Sequence, residues 1–76
     1  MTELEWLDIF SNNLVDILKD QRMTQRELAD ASGLSEGTIS NIINKRTMPS
    51  IKTIVNISHV LDIEATELID FDSMIV

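Results

Sequence analysis

The amino-acid sequence predicts an all-α domain of five short helices. The chain holds two glycines and one proline in 76 residues. Apolar residues recur at spacings of three and four, and nowhere alternate as a half-buried strand would. Helix starts are also legible: Thr2 followed by Glu5, and Thr24 followed by Glu27, are capping boxes. In such a box the hydroxyl and the carboxylate satisfy reciprocal backbone N–H groups.

The first helix follows Thr2. At about 100° per residue, Trp6, Ile17, Phe10, Leu14, Leu7, Leu18, Leu4 and Val15 spread over roughly half its circumference, more than a single-faced surface helix needs. The cluster Ser11-Asn12-Asn13 offers an alternative break, because these residues favour caps and turns; one long helix is the preferred reading. A second helix starts after Thr24, with Met23 and Leu28 as a hydrophobic staple, and ends at Gly33. Leu34 and Ile39 repeat the staple around a Ser35 cap and open a third. Pro49-Ser50 ends that helix region and caps a fourth, which runs to about Leu61 with Ile54, Ile57 and Leu61 on its apolar face. A short fifth helix is expected from about Ala65 to Ile69.

At 43% hydrophobic and 25% charged residues, the chain is one domain with no room for a second core. A core this small needs economical helix packing or oligomerisation, so a dimer is plausible on size alone. The absence of cysteine removes disulfide frameworks, thiolate metal sites and thiol catalysis, and makes the cytoplasm the default location. With no basic-then-apolar leader and no run of about 18 apolar residues, neither secretion nor membrane insertion is expected. No nucleophile–base pair, metal-ligand cluster or phosphate-cradling glycine loop is present, so neither enzyme activity nor a cofactor or metal is expected, and no small-molecule effector site is evident. His59 lies on a polar helix side without a second ligand nearby and is assigned no role.

Net charge is −7, which taken whole argues against nucleic acid. Its distribution argues differently. All six basic residues, Lys19, Arg22, Arg26, Lys45, Arg46 and Lys52, fall within 19–52, where four acids leave +2; the flanks carry nine acids and no Lys or Arg. Such segregation presents the middle of the molecule to a polyanion and turns the ends away. A merely solubilising acidic surface carries equal weight.

Residues 24–44 read TQRELADASGLSEGTISNIIN. Leu28 and the small Ala29 suit a close helix crossing, and Gly33 permits the positive φ that reverses the chain into a second helix. Ile39 and Ile42 anchor that helix, leaving Gly37, Ser40, Asn41 and Asn44 on the opposite face. An outward face of small and amide side chains, beside Gln25 and Arg26 at the preceding helix start, suits a major groove and its phosphates.

At these residues the chain resembles the phage-repressor helix-turn-helix family, the Cro/Xre type. Gln25, Ala29, Gly33, Ile39 and Ile42 fall on the family's recurrent positions, and the frame continues through Pro49-Ser50, the Ile54, Ile57, Leu61 helix and Leu68. The resemblance implies a compact five-helix lambda-repressor-like domain over residues 13–70, preceded by an N-terminal extension of helix one (1–12) and followed by a short apolar tail (71–76). It implies double-stranded DNA as partner, a homodimer on a palindromic operator and a repressor's role, with a recognition helix at about 35–44. The implied DNA-contacting set is Thr24, Gln25, Arg26, Ser35, Glu36, Gly37, Thr38, Ser40, Asn41, Asn44, Lys45, Arg46 and Thr47. Within it, Gln25 contacts backbone phosphate and supports the reading helix, while Glu36, Gly37, Ser40 and Asn41 face bases. The segment Lys45-Arg46-Thr47 grips phosphate through side chains and backbone N–H groups. The chain departs from the family where Glu36 replaces a frequent Gln, where Leu18 replaces a frequent Arg, and where Lys45 and Asp62 replace helix-ending glycines. Each of the last two requires a strained or rearranged helix end.

Glu36 and the net charge support an alternative: a protein-interaction module of the same fold, antitoxin-like or an acidic partner protein. The apolar excess at the two ends, Trp6 and Phe10 with Phe71, Met74 and Ile75, either forms a dimer face or closes the monomer's own core.

Overall fold

The computed structural model describes residues 2–69. Four α-helices follow in order: α1 (Glu3–Gln21), α2 (Gln25–Ser32), α3 (Glu36–Ile43) and α4 (Ile51–Leu61). The fifth helix expected from about Ala65 to Ile69 is instead a single 3-10 turn, Ala65–Glu67. The segment is too short to build an α-helical ladder after Glu64 caps it, and Leu68 and Ile69 are drawn into the core directly behind the turn.

Each α-helix starts on a hydroxyl. Thr2, Thr24, Ser35 and Ser50 accept from the backbone N–H three residues on, at 3.2, 3.1, 3.0 and 3.1 Å. At Thr24 the box closes, because Glu27 Oε1 accepts from the Thr24 N–H at 3.1 Å.

The Ser11-Asn12-Asn13 cluster does not interrupt α1. Two of its side chains leave their own backbone alone and bond to other elements: Ser11 Oγ donates to the Ile42 carbonyl at 2.7 Å, and Asn13 Nδ2 to the Leu68 carbonyl at 2.7 Å. The same device recurs where Gln21 Nε2 donates to the Leu61 carbonyl (2.7 Å) and Asn56 Nδ2 to the Ser32 carbonyl (2.8 Å). Terminal carbonyls of α2, α3 and α4 have no intrahelical partner; here a side chain from another helix supplies one, each contributing about 0.5–1.5 kcal/mol.

Around one core α1 packs on α3, α2 on both α3 and α4, and the 3-10 turn on α4. Leu14, Leu28, Ile39, Ile42, Ile57 and Leu68 are buried there. Trp6 and Phe10, for which the sequence leaves open a dimer face or the monomer's own core, are 5% and 0% exposed, their rings stacked at 5.4 Å. They close this chain's own core because one long α1 carries its first turns over it; Phe71, Met74 and Ile75 lie outside the described residues.

Helix ends show what the missing glycines cost. Gly33 turns at φ 75°, but Arg22, Lys45 and Asp62 take the same left-handed conformation at 54°, 62° and 55°. At each of these three the next residue's N–H reaches back five residues, as from Met23 to the Leu18 carbonyl at 2.9 Å. A left-handed non-glycine residue costs about 1–2 kcal/mol, partly offset by glycine's greater freedom in the unfolded chain. Arg22→Gly is therefore expected to stabilise the domain by about 0.5–1 kcal/mol, read by thermal melting as a rise of roughly 2–8 °C. An unchanged or lower melting temperature contradicts the assignment.

Candidate nucleic-acid interface

The serine cap, Ile39 and Ile42 together orient α3. Ile39 and Ile42 are buried against α1 and α2, which leaves Glu36, Gly37, Thr38 and Asn41 exposed and Ser40 half-buried. A β-carbon added at Gly37 would meet only Ser35 Oγ, at 3.9 Å, so the backbone of the first turn of α3 is bare to an approaching surface.

The polar groups on this face divide into committed and free. Ser35 caps the helix and shares a hydrogen bond with the Thr38 hydroxyl at 2.8 Å. Asn44 folds back on α3, its Nδ2 donating to the Ser40 carbonyl at 2.9 Å and to Ser40 Oγ at 3.1 Å. That amide is spent on the helix end, where it adds to the bond that the Asn44 backbone N–H already makes to the same carbonyl at 2.9 Å. Asn41, one turn earlier, is exposed and its amide makes no hydrogen bond within the described residues.

Around α3 stand the side chains that the sequence offers for phosphate contact. Thr24 and the half-buried Gln25 sit at the start of α2, with Arg26 exposed beside them. Arg26 is not paired with Asp30; the one ion pair among the described residues joins Lys45 Nζ to Asp8 Oδ1 at 2.5 Å. Lys45, Arg46 and Thr47 are exposed after α3. The N–H groups of Lys45 and Arg46, expected to be available to phosphate, are instead used by the helix end, bonding the Ile42 and Asn41 carbonyls at 3.1 and 2.8 Å. In that loop the Arg46 and Thr47 side chains remain to meet an anion, while Lys45 is paired with Asp8.

Two further residues, not singled out as contacts in the sequence, join this region. A cleft of about 300 Å³ opens between the last turns of α1 and the start of α2, lined by Lys19 and Arg22 together with Val15, Leu18, Met23, Thr24, Gln25 and Ile43. The clustering of every basic residue within 19–52 is the signal that could have included them. Among the described residues there is no cluster that could hold a metal ion and no helix long and apolar enough to cross a membrane.

Comparison with known proteins agrees with this geometry. The helix-turn-helix family profile matches residues 14–68. An HTH-type transcriptional regulator of Bacillus subtilis (strain 168), YqaE, is 31% identical over 65 residues; the match covers 86% of this chain but only 56% of that protein, so the chain spans little more than half its relative's length. Among solved structures, the restriction-modification controller protein C.AhdI from Aeromonas hydrophila superposes with a TM-score of 0.80 at 27% identity, covering 83% of this chain and 96% of that one. The capped helix pair, the glycine turn between its members and the profile that spans both place this chain in the Cro/Xre-type helix-turn-helix family.

Proposed function

We propose that this protein is a sequence-specific double-stranded DNA-binding transcriptional regulator, a cytoplasmic repressor that acts by occupying its operator. The carrying observation is the uncommitted Asn41 amide on the exposed face of α3, next to the bare backbone at Gly37. An asparagine amide matches adenine N6 and N7 in the major groove bidentately, and Glu36 can accept from cytosine N4. Arg26, Arg46, Lys19 and Arg22 supply positive charge around the reading face.

The proposal includes a homodimer on a palindromic site, with half-sites about 34–36 Å apart. Support for the dimer comes from Ile51 and Val55, one turn apart on α4 and 74% and 53% exposed. A residue pair of this kind on one helix face is apolar area that a second copy can cover. Glu36 and the net charge of −7 favour the second reading, a protein-interaction module of the same fold.

Selection of bound oligonucleotides from a random pool at low and moderate salt separates the two. Enrichment of a palindromic site is expected, with Arg46→Ala weakening all sequences alike and flattening the salt dependence by about one phosphate. No enrichment even at low salt would leave the fold serving contacts with another polypeptide.

A further inference from the structure

Asp8 and Ser11 lie one turn apart on α1, before residues 14–68 that match the family profile, and both reach the C-terminal end of α3. Ser11, fully buried, donates to the Ile42 carbonyl at 2.7 Å. Asp8 holds the Lys45 ammonium at 2.5 Å. Lys45 has little freedom to leave by backbone motion: its φ of 62° is fixed by the helix end, in which its own N–H and that of Arg46 are bonded to carbonyls of α3. The first turns of α1 thus grip both the backbone and the first cation beyond the reading helix.

We propose that Asp8 is a positioning residue that withholds Lys45 from DNA phosphate, so that the N-terminal turns of α1 set the affinity of the reading face. The inference rests on the DNA-binding reading above. A carboxylate oxygen in contact with the ammonium takes one of its three N–H donors, and it leaves a charge pair of zero net charge where an approaching phosphate needs a cation. Binding then releases no counterion on account of Lys45, and each phosphate contact forgone removes about 0.9 from the slope of log K against log salt. The pair is half-exposed and hydrated, so holding it costs the fold little and exchanging it is feasible.

The test measures Kd on a mixed-sequence DNA duplex at several salt concentrations between about 50 and 200 mM for wild type, Asp8→Asn, Asp8→Asn with Lys45→Met, and Arg46→Ala. Asp8→Asn is expected to bind roughly 3–10-fold tighter at the lowest salt, with a slope steeper by about one. The double variant is expected to lose that added unit. A surface pair of this kind predicts that the melting temperature of Asp8→Asn falls by no more than about 8 °C, so the gain is not a stability effect. The inference is overturned if Asp8→Asn keeps the wild-type slope and affinity, or binds more weakly, as it would if Asp8 aimed Lys45 at phosphate. Wild type that binds with a salt slope reduced in Arg46→Ala shows the DNA reading intact in either case. Wild type that binds no duplex at the lowest salt brings down that reading and this inference together.

Discussion

Phe10→Ala is expected to destabilise the domain by about 3–5 kcal/mol. Domains of this size are held by roughly 4–11 kcal/mol in all, so the substitution removes from about a quarter to all of that stability. The side chain is fully buried and stacks on Trp6 one turn earlier, with ring planes 5° apart. Its removal forfeits the transfer of the ring from water and leaves a cavity beneath α1, because Leu7, Leu14 and the neighbouring helices are pinned by their own packing and cannot fill it. Urea denaturation followed by circular dichroism reads the effect: a midpoint lowered by about a quarter or more is expected. The same measurement separates a core residue from an interface residue. Were Phe10 part of a dimer face, the alanine variant would keep its monomer stability and lose only association at high protein concentration.

Asn41→Ala is expected to cost about 1–3 kcal/mol of discrimination at one base position, about 5–150-fold, in binding to a selected site. The other positions of the site keep their preferences. The expectation follows from the division of side chains on α3: Ser35 and Thr38 bond each other, Asn44 bonds Ser40, and Gly37 has no side chain. Asn41 is therefore the amide left to read a base, and the alanine variant keeps both the helix and its surroundings, since the Asn41 side chain makes no hydrogen bond within the described residues. Binding titrations on a panel of single-base variants of the site measure it. Equal loss across the panel would assign Asn41 to the phosphate backbone, and no loss would remove it from the interface.

Much of this was legible in the sequence because it is decided locally. Four hydroxyl caps, the glycine between α2 and α3, and the apolar spacing of Leu28, Ile39, Ile42, Ile54, Ile57 and Leu61 each act within a turn or two of chain. They therefore appear as short-range patterns, and with them came the all-α class, the helix-turn-helix and the family. What went unread depends on contacts between distant residues. Whether Ser11-Asn12-Asn13 breaks a helix turns on the Ile42 and Leu68 carbonyls, 31 and 55 residues away, and no local preference of serine or asparagine contains that. Trp6 and Phe10 look alike in a core and on an interface until the direction of α1 across α3 is known. The same holds for polar side chains of the candidate site: Asn41 and Asn44 are equivalent on a helical wheel, yet the end of α3 takes one and spares the other.

The sequence by itself determined where each α-helix begins, that no strand pattern interrupts them, and which face of α3 is buried, since capping and amphipathic period are properties of neighbours along the chain. Only the tertiary structure decided that the last helix shrinks to one 3-10 turn, that the aromatic pair of α1 belongs to the core, and that Lys45 meets Asp8. Those outcomes depend on which carbonyls, cavities and charges packing brings within a few ångströms, and pairings across the chain leave no trace in local periodicity.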